Sequence, residues 1–153
     1  MKITLSLLAL LLAFTAPIAP LALRAEDKSR AGSEGSDLED SMSTMNGAFK
    51  KLRRQVADPA QNEASLALVA RLRKACVEAS LLMPEKISHL PAKDQAAAKT
   101  SYTDKMKELI ATVDELSAAL KANKNSEAAG IIKGLGLQEE AGHKEFKPKN
   151  MSD

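Results

Sequence analysis

The stretch SDLEDSMSTMNGAFKKLRRQV, residues 36–56, decides the fold. Its apolar residues Leu38, Met42, Met45, Phe49, Leu52 and Val56 recur at spacings of 4, 3, 4, 3 and 4, which gathers them on one stripe of an α-helix and on neither face of a strand. Ser36 with Glu39 has the form of a capping box that opens such a helix, and Asp58-Pro59 marks its end. Apolar stripes of helical spacing return downstream. Leu66, Val69, Leu72, Cys76, Ala79 and Met83 form a second stripe that starts around Asn62-Glu63 and stops at Pro84. A third runs from about Asp94 to Ala122 through Tyr102, Met106, Leu109, Val113, Leu116 and Leu120. A fourth begins near Ser126 and carries Ala128, Ile131, Ile132, Leu135, Gly142 and Phe146, with Pro148 closing it.

Between the runs, EKISHLPAK reads as a linker and KANKNS as a turn. No segment alternates with period two, and the connections are short, so neighbouring helices should run antiparallel. The expectation is an all-α protein, an antiparallel up-down-up-down four-helix bundle over residues 36–148 with a short tail, 149–153. The fourth run is unusual in holding Gly130, Gly134, Gly136 and Gly142, each of which costs about 1 kcal/mol against alanine inside a helix. Either it is a weak terminal helix held by its neighbours, or the missing side chains make room for a bulky ligand against the backbone.

The chain opens MKITLSLLALLLAFTAPIAPLALRAED. One lysine, an apolar run broken by Pro17 and Pro20, and small residues at Ala25 have the form of a secretory signal peptide, residues 1–25, cleaved after Ala25. The uninterrupted apolar part is shorter than the roughly 20 residues needed to span a bilayer, so no membrane anchor is expected after cleavage, and a periplasmic location is. Residues 26–35, EDKSRAGSEG, lack an apolar period and read as a flexible tether. Removing the leader takes away two basic and no acidic residues, leaving 20 of each sign. A nucleic-acid function, which wants a net basic face, loses its support. With Cys76 as its one cysteine, the chain cannot close an internal disulfide, and its stability rests on packing or on something bound. Cys76 itself reads as a small buried apolar residue, with an intermolecular disulfide as the alternative.

An up-down bundle brings the start of the first helix and the end of the fourth to the same end of the molecule. Met42 and His143 then lie about 7 Å and 5 Å inside that end, at 1.5 Å per residue. The connection between the second and third helices belongs there too, with Ala79, Met83, Pro84, Tyr102 and Met106. Taken singly, Met42 and Met45 suit gap-filling in a core, and His143 suits a helix C-terminus, where its charge complements the dipole. Taken together, a thioether and an imidazole across an apolar pocket are a known axial pair for haem iron.

At these residues the sequence resembles the soluble cytochrome b562 family. The likeness lies in DLEDSMSTMNGAFKKL, LMPEKI, MKELIATVDEL and GHKEF, in that order and register, over roughly residues 36–147. It implies a small periplasmic electron-transfer protein, not an enzyme, that binds one haem b (iron protoporphyrin IX) per chain without covalent attachment. The implied axial ligands are Met42 and His143, with Met45, Phe49, Tyr102, Met106 and Phe146 bordering the porphyrin. The sequence departs from the family pattern in having Met106 at one of two helix positions where the pattern has aromatics, Glu139 where it favours a basic residue, and Gly142 in place of a bulky aromatic. Lys144 and Lys147 stand near the mouth as possible cations for the propionates.

Other chemistries find little footing. There is no Cys-x-x-Cys-His for covalent haem, no Gly-x-Ser-x-Gly turn, and no strand ahead of the glycines of the fourth run to make a phosphate loop. His89 lacks any partner at ligand spacing and reads as a solvated loop residue. The competing reading is a haem-free periplasmic bundle, chaperone-like or binding copper through Met42, Met45 and His143. In either case the chain is expected to be a monomer, with a redox partner, if it has one, that the sequence does not name.

Overall fold

The computed structural model describes the backbone of residues 23–147 and the side chains of residues 36–147. The apolar leader up to residue 22, Pro148 and the tail lie outside it. Four long helices carry the fold: α1 (Leu23–Gln55), α2 (Asn62–Ser80), α4 (Ala92–Lys121) and α5 (Asn125–Phe146), with a one-turn helix, α3 (Glu85–Ser88), in the connection between α2 and α4. No strand occurs among the described residues. Cross-helix contacts show that successive long helices are antiparallel. Asn62 meets Leu120 and Ala79 meets Tyr102 across α2 and α4, while Thr112 meets Gln138 and Ser101 meets Glu145 across α4 and α5. The architecture is the all-α up-down-up-down four-helix bundle expected from the apolar stripes.

Those stripes are the core. Leu38, Phe49, Leu52 and Val56 of the first, Val69, Leu72, Cys76 and Ala79 of the second, Tyr102, Met106, Val113, Leu116 and Leu120 of the third, and Ala128, Ile132 and Leu135 of the fourth are all buried together. Ile87, on the one-turn helix, is 1% exposed and plugs the end of the bundle. Thus the connection read as a linker contributes a core residue.

Two boundaries differ from the sequence reading. Residues 26–35, read as a flexible tether, are helical: α1 starts at Leu23 and runs through Ser36 without a break, so Ser36 lies inside the helix and not at its start. The physical reason is that extending a helix already fixed by packing adds a hydrogen bond for each residue ordered and needs no new nucleus. Glu26, Lys28, Arg30, Ala31 and Glu34 are willing helix formers, and no proline interrupts them. In α2 the helix ends at Ser80, so Met83, placed on the second stripe, sits in the following connection, half-buried. The fourth run, despite its glycines, is one unbroken helix of 22 residues.

The end of the bundle opposite α3 is closed by asparagines. Asn123 takes the left-handed conformation, φ 56°, just past α4, and the Asn123 and Lys124 amides donate to the Leu120 and Ala119 carbonyls, the two bonds that terminate a helix in a Schellman motif. Next to it, the Asn125 side-chain amide donates to the Val56 carbonyl and to Asn62 Oδ1, both at 2.7 Å. The Asn62 amide in turn reaches Asn123 Oδ1 at 2.8 Å. This network joins the last turn of α1, the first of α2, the end of α4 and the start of α5, and Asn62 and Asn125 are buried.

Asn125→Ala strands the Val56 carbonyl and Asn62 in a buried site, so urea unfolding should show a loss of roughly 1–3 kcal/mol. The Asn62→Ala, Asn125→Ala double variant should lose less than the sum of the singles, because the two share one network. A loss within experimental error of zero would show that solvent replaces the clamp.

Candidate functional site

The four seams of the bundle are not alike. α1 packs along α2, α2 along α4 and α4 along α5, whereas α1 and α5 approach one another far more sparsely. Two contacts locate that fourth seam. At the asparagine end, Asn125 of α5 bonds the Val56 carbonyl of α1. Further along, a Cβ built on Gly136 would lie 3.6 Å from Phe49 Cζ, so the aromatic ring rests against bare α5 backbone.

The Phe49–Gly136 contact fixes where the sequence-predicted residues lie. Met42 is seven residues before Phe49 on α1, and His143 is seven residues after Gly136 on α5. Seven residues are two turns less about 20°, an axial step of about 10 Å. Because the helices are antiparallel, both steps run the same way, away from the asparagine end. These steps put Met42 and His143 at about one level, on the sides of α1 and α5 that carry Phe49 and Gly136.

Their burial fits a site at the mouth of that seam. Met42 and Met45 are half-buried and pack against the core, while His143 is exposed. Among the described residues, the His143 ring has no hydrogen-bond partner, so its nitrogens are available to a ligand. A Cβ on Gly142 would meet nothing within 4 Å. Glu139, four residues before His143 and hence on the same side of α5, is half-buried in the seam.

The remaining predicted residues form the wall behind. Tyr102 and Phe146 stack edge to face, with ring centroids 5.2 Å apart and planes at 78°. Tyr102 Oη donates to the Ala79 carbonyl at 2.7 Å, and burial holds its phenol well above the ordinary tyrosine range. Met106 is buried in the same cluster. The last turns of α5 are held against α4 and the α2–α4 connection: Glu145 accepts from Ser101 Oγ at 2.7 Å and pairs with Lys105 at 3.5 Å, and Lys86 Nζ donates to the Lys144 carbonyl at 3.4 Å. None of these contacts ties α5 to α1, so the seam can stay open without loosening α5. Lys144 is exposed at its rim.

Among the described residues no three His, Cys, Asp or Glu side chains gather as a chelating group. His89 is exposed, with Glu85 4.0 Å away, and Cys76 is fully buried in mid-helix. What α1 and α5 offer is one thioether and one imidazole from opposite sides, beside bare glycine backbone. Two opposed neutral donors with an apolar wall suit a flat metal macrocycle that brings its own equatorial ligands. The two shallow cavities of about 180 and 170 Å³ lie elsewhere, at the α2–α4 and α1–α2 seams, and include neither Met42 nor His143. Sequence reasoning missed the Phe49–Gly136 contact, although glycine on a core stripe facing an aromatic is the signal that carries it.

Compared with known families, residues 37–147 match the family model described as Cytochrome b562. Comparison with curated proteins gives no match.

Two consequences of this geometry are measurable. Gly142→Ala should stabilise the chain alone by up to about 1 kcal/mol in urea unfolding, since the added methyl meets nothing and helix propensity improves; a loss would mean that α5 closes on α1 there. Burial pushes the Cys76 thiol up to about 12, against a smaller opposing pull from Arg73. Its contribution to stability is whole below the ordinary thiol pKa of about 8.5 and declines as pH rises towards the folded value, because the unfolded chain ionises first. Iodoacetamide at pH 8 should therefore label Cys76 only at the rate of unfolding, and Cys76→Ala should flatten the alkaline fall in stability.

Proposed function

We infer the function from this premise: the chain belongs to the cytochrome b562 family. That membership implies a haem protein of the b type that carries electrons. The reading proposed for this chain is a periplasmic electron carrier that binds one haem non-covalently, with Met42 and His143 as the axial ligands and Met45, Phe49, Tyr102, Met106 and Phe146 around the porphyrin. The observation that supports it is the Phe49–Gly136 contact, from which Met42 and His143 follow at one level on either side of the open seam.

Bound haem supplies reversible one-electron exchange between Fe(III) and Fe(II), and a Met/His ligand pair raises its potential relative to two nitrogens or a thiolate. The protein's own groups do the rest. Met42 offers a neutral, polarisable sulfur from a position already packed on the core, and His143 offers an imidazole that no other side chain engages. With Met42 and His143 both holding the iron, no coordination site would be left for a substrate, which favours a carrier over an enzyme. Gly142 and Gly136 keep α5 free of side chains where a ring would approach. Tyr102, Met106 and Phe146 exclude water from the inner side. Glu139 places a carboxylate in the seam and Lys144 an ammonium at its rim, so the local field is mixed, not uniformly basic.

The periplasmic part of the reading rests on the leader at residues 1–25. Among the described residues no helix is long and apolar enough to cross a membrane.

The test is the visible spectrum of protein reconstituted with haem, oxidised and after dithionite. Sharp low-spin bands in the reduced state should appear, and Met42→Ala and His143→Ala should each lose them while keeping helical circular dichroism. Haem should also raise the melting temperature, since a ligand at a hundred times its Kd stabilises by about 2.7 kcal/mol. Colourless protein after reconstitution would sink the proposal. Copper(I) binding that needs Met42, Met45 and His143 in haem-refractory protein would replace it with the metal-binding alternative.

A further inference from the structure

On the other side of α1, two cations share a groove. Lys51 of α1 and Arg71 of α2 line the shallow cavity of about 170 Å³ between these helices, together with Ser43, Thr44, Gly47 and Leu68, and among the described residues no carboxylate borders it. Lys51 has Gly47, Ala48, Arg54 and Gln55 three and four residues away, and Arg71 has Ala67, Leu68, Lys74 and Ala75. Neither can therefore form the intrahelical ion pair that a neighbouring acid allows, as Glu78 does for Lys74 and Asp104 for Lys107. Among the described residues neither cation has an ion-pair partner across helices, whereas Arg73, two residues on, is held by Asp114 at 2.6 Å.

The rest of the lining is suited to an oxyanion. Ser43 and Thr44 present hydroxyls which, among the described residues, have no hydrogen-bond partner, unlike Thr100 and Thr112, which bond back to their own helix. A Cβ on Gly47 would meet nothing within 4 Å, so the floor of the groove is open to a small group. Two like charges facing one groove repel each other, and a dianion between them removes that repulsion while accepting charge-assisted hydrogen bonds, in the bidentate form that arginine favours.

We propose that the α1–α2 groove at Gly47 is a binding site for a compact tetrahedral oxyanion of the phosphate type, held by Lys51 and Arg71 and accepting from the Ser43 and Thr44 hydroxyls. It is separate from the α1–α5 seam, since Lys51 lies about 200° around α1 from Phe49. The site is exposed, so binding is weak and is screened by salt.

Titration of the purified protein with inorganic phosphate, followed by backbone amide NMR against sodium chloride at matched ionic strength, tests this. The Thr44 and Gly47 amides should shift along a saturable curve with a low-millimolar midpoint. Lys51→Gln and Arg71→Gln, both surface changes that leave the fold intact, should each weaken it by about fivefold or more. Shifts that stay linear, that chloride reproduces, or that both variants retain would overturn the site. Binding to phosphatidylglycerol vesicles without a saturable response to soluble phosphate would overturn it too, by giving the basic face to a lipid surface.

Discussion

The rest of the structure depends on how α1 and α5 are fastened to each other. Near one end, Asn125 holds the Val56 carbonyl across the seam at 2.7 Å. Partway along, Phe49 lies against the backbone of Gly136. Elsewhere the two helices meet only sparsely, while α5 is secured to α4 through Glu145, Tyr102 and Phe146. With α1 and α5 so sparsely joined, the stability of the whole is carried by the three remaining seams.

This explains why the weakest helix former in the chain is tolerated. Glycine in a helix interior loses stability through backbone entropy and through the absence of a side chain to pack. In α5 the apolar residues that matter, Ala128, Ile132 and Leu135, are buried on the half nearer the asparagine clamp. The half bearing Gly142 and His143 is held by a few polar and aromatic contacts to α4. Packing has thus been concentrated where the seam is shut, and bare backbone where it is open.

Much of this is legible in the sequence, and what is not fails for identifiable reasons. The four stripes survive because apolar spacings of three and four have a helical interpretation and no strand one, and most residues on them are buried in the core or packed against it. Residues 26–35 mislead because polarity and glycine remove the periodic signal without forbidding a helix that is already running. Met83 misleads because it fits the stripe, though α2 stops at Ser80 and turns. The asparagine clamp could not be read at all: Asn62, Asn123 and Asn125 have the composition of turns, and their mutual contacts span more than 60 residues of chain. The pairing of Phe49 with Gly136 was not read either, because spacing within one helix does not say which residue of another helix it meets.

Glu139 and Gly142, two of the three positions where this chain parts from the family pattern, both lie on α5. Replacing a bulky neighbour of the histidine by glycine removes a wall, and a carboxylate on the same side of the helix adds negative charge where a basic residue would add positive. The two changes are coherent. A half-buried carboxylate is tolerable only where water can still reach it, since a desolvated and unpaired charge is heavily penalised. Leaving Gly142 bare keeps that access. A haem seated between Met42 and His143, as proposed above, would thus leave the neighbouring Glu139 carboxylate open to water past bare Gly142.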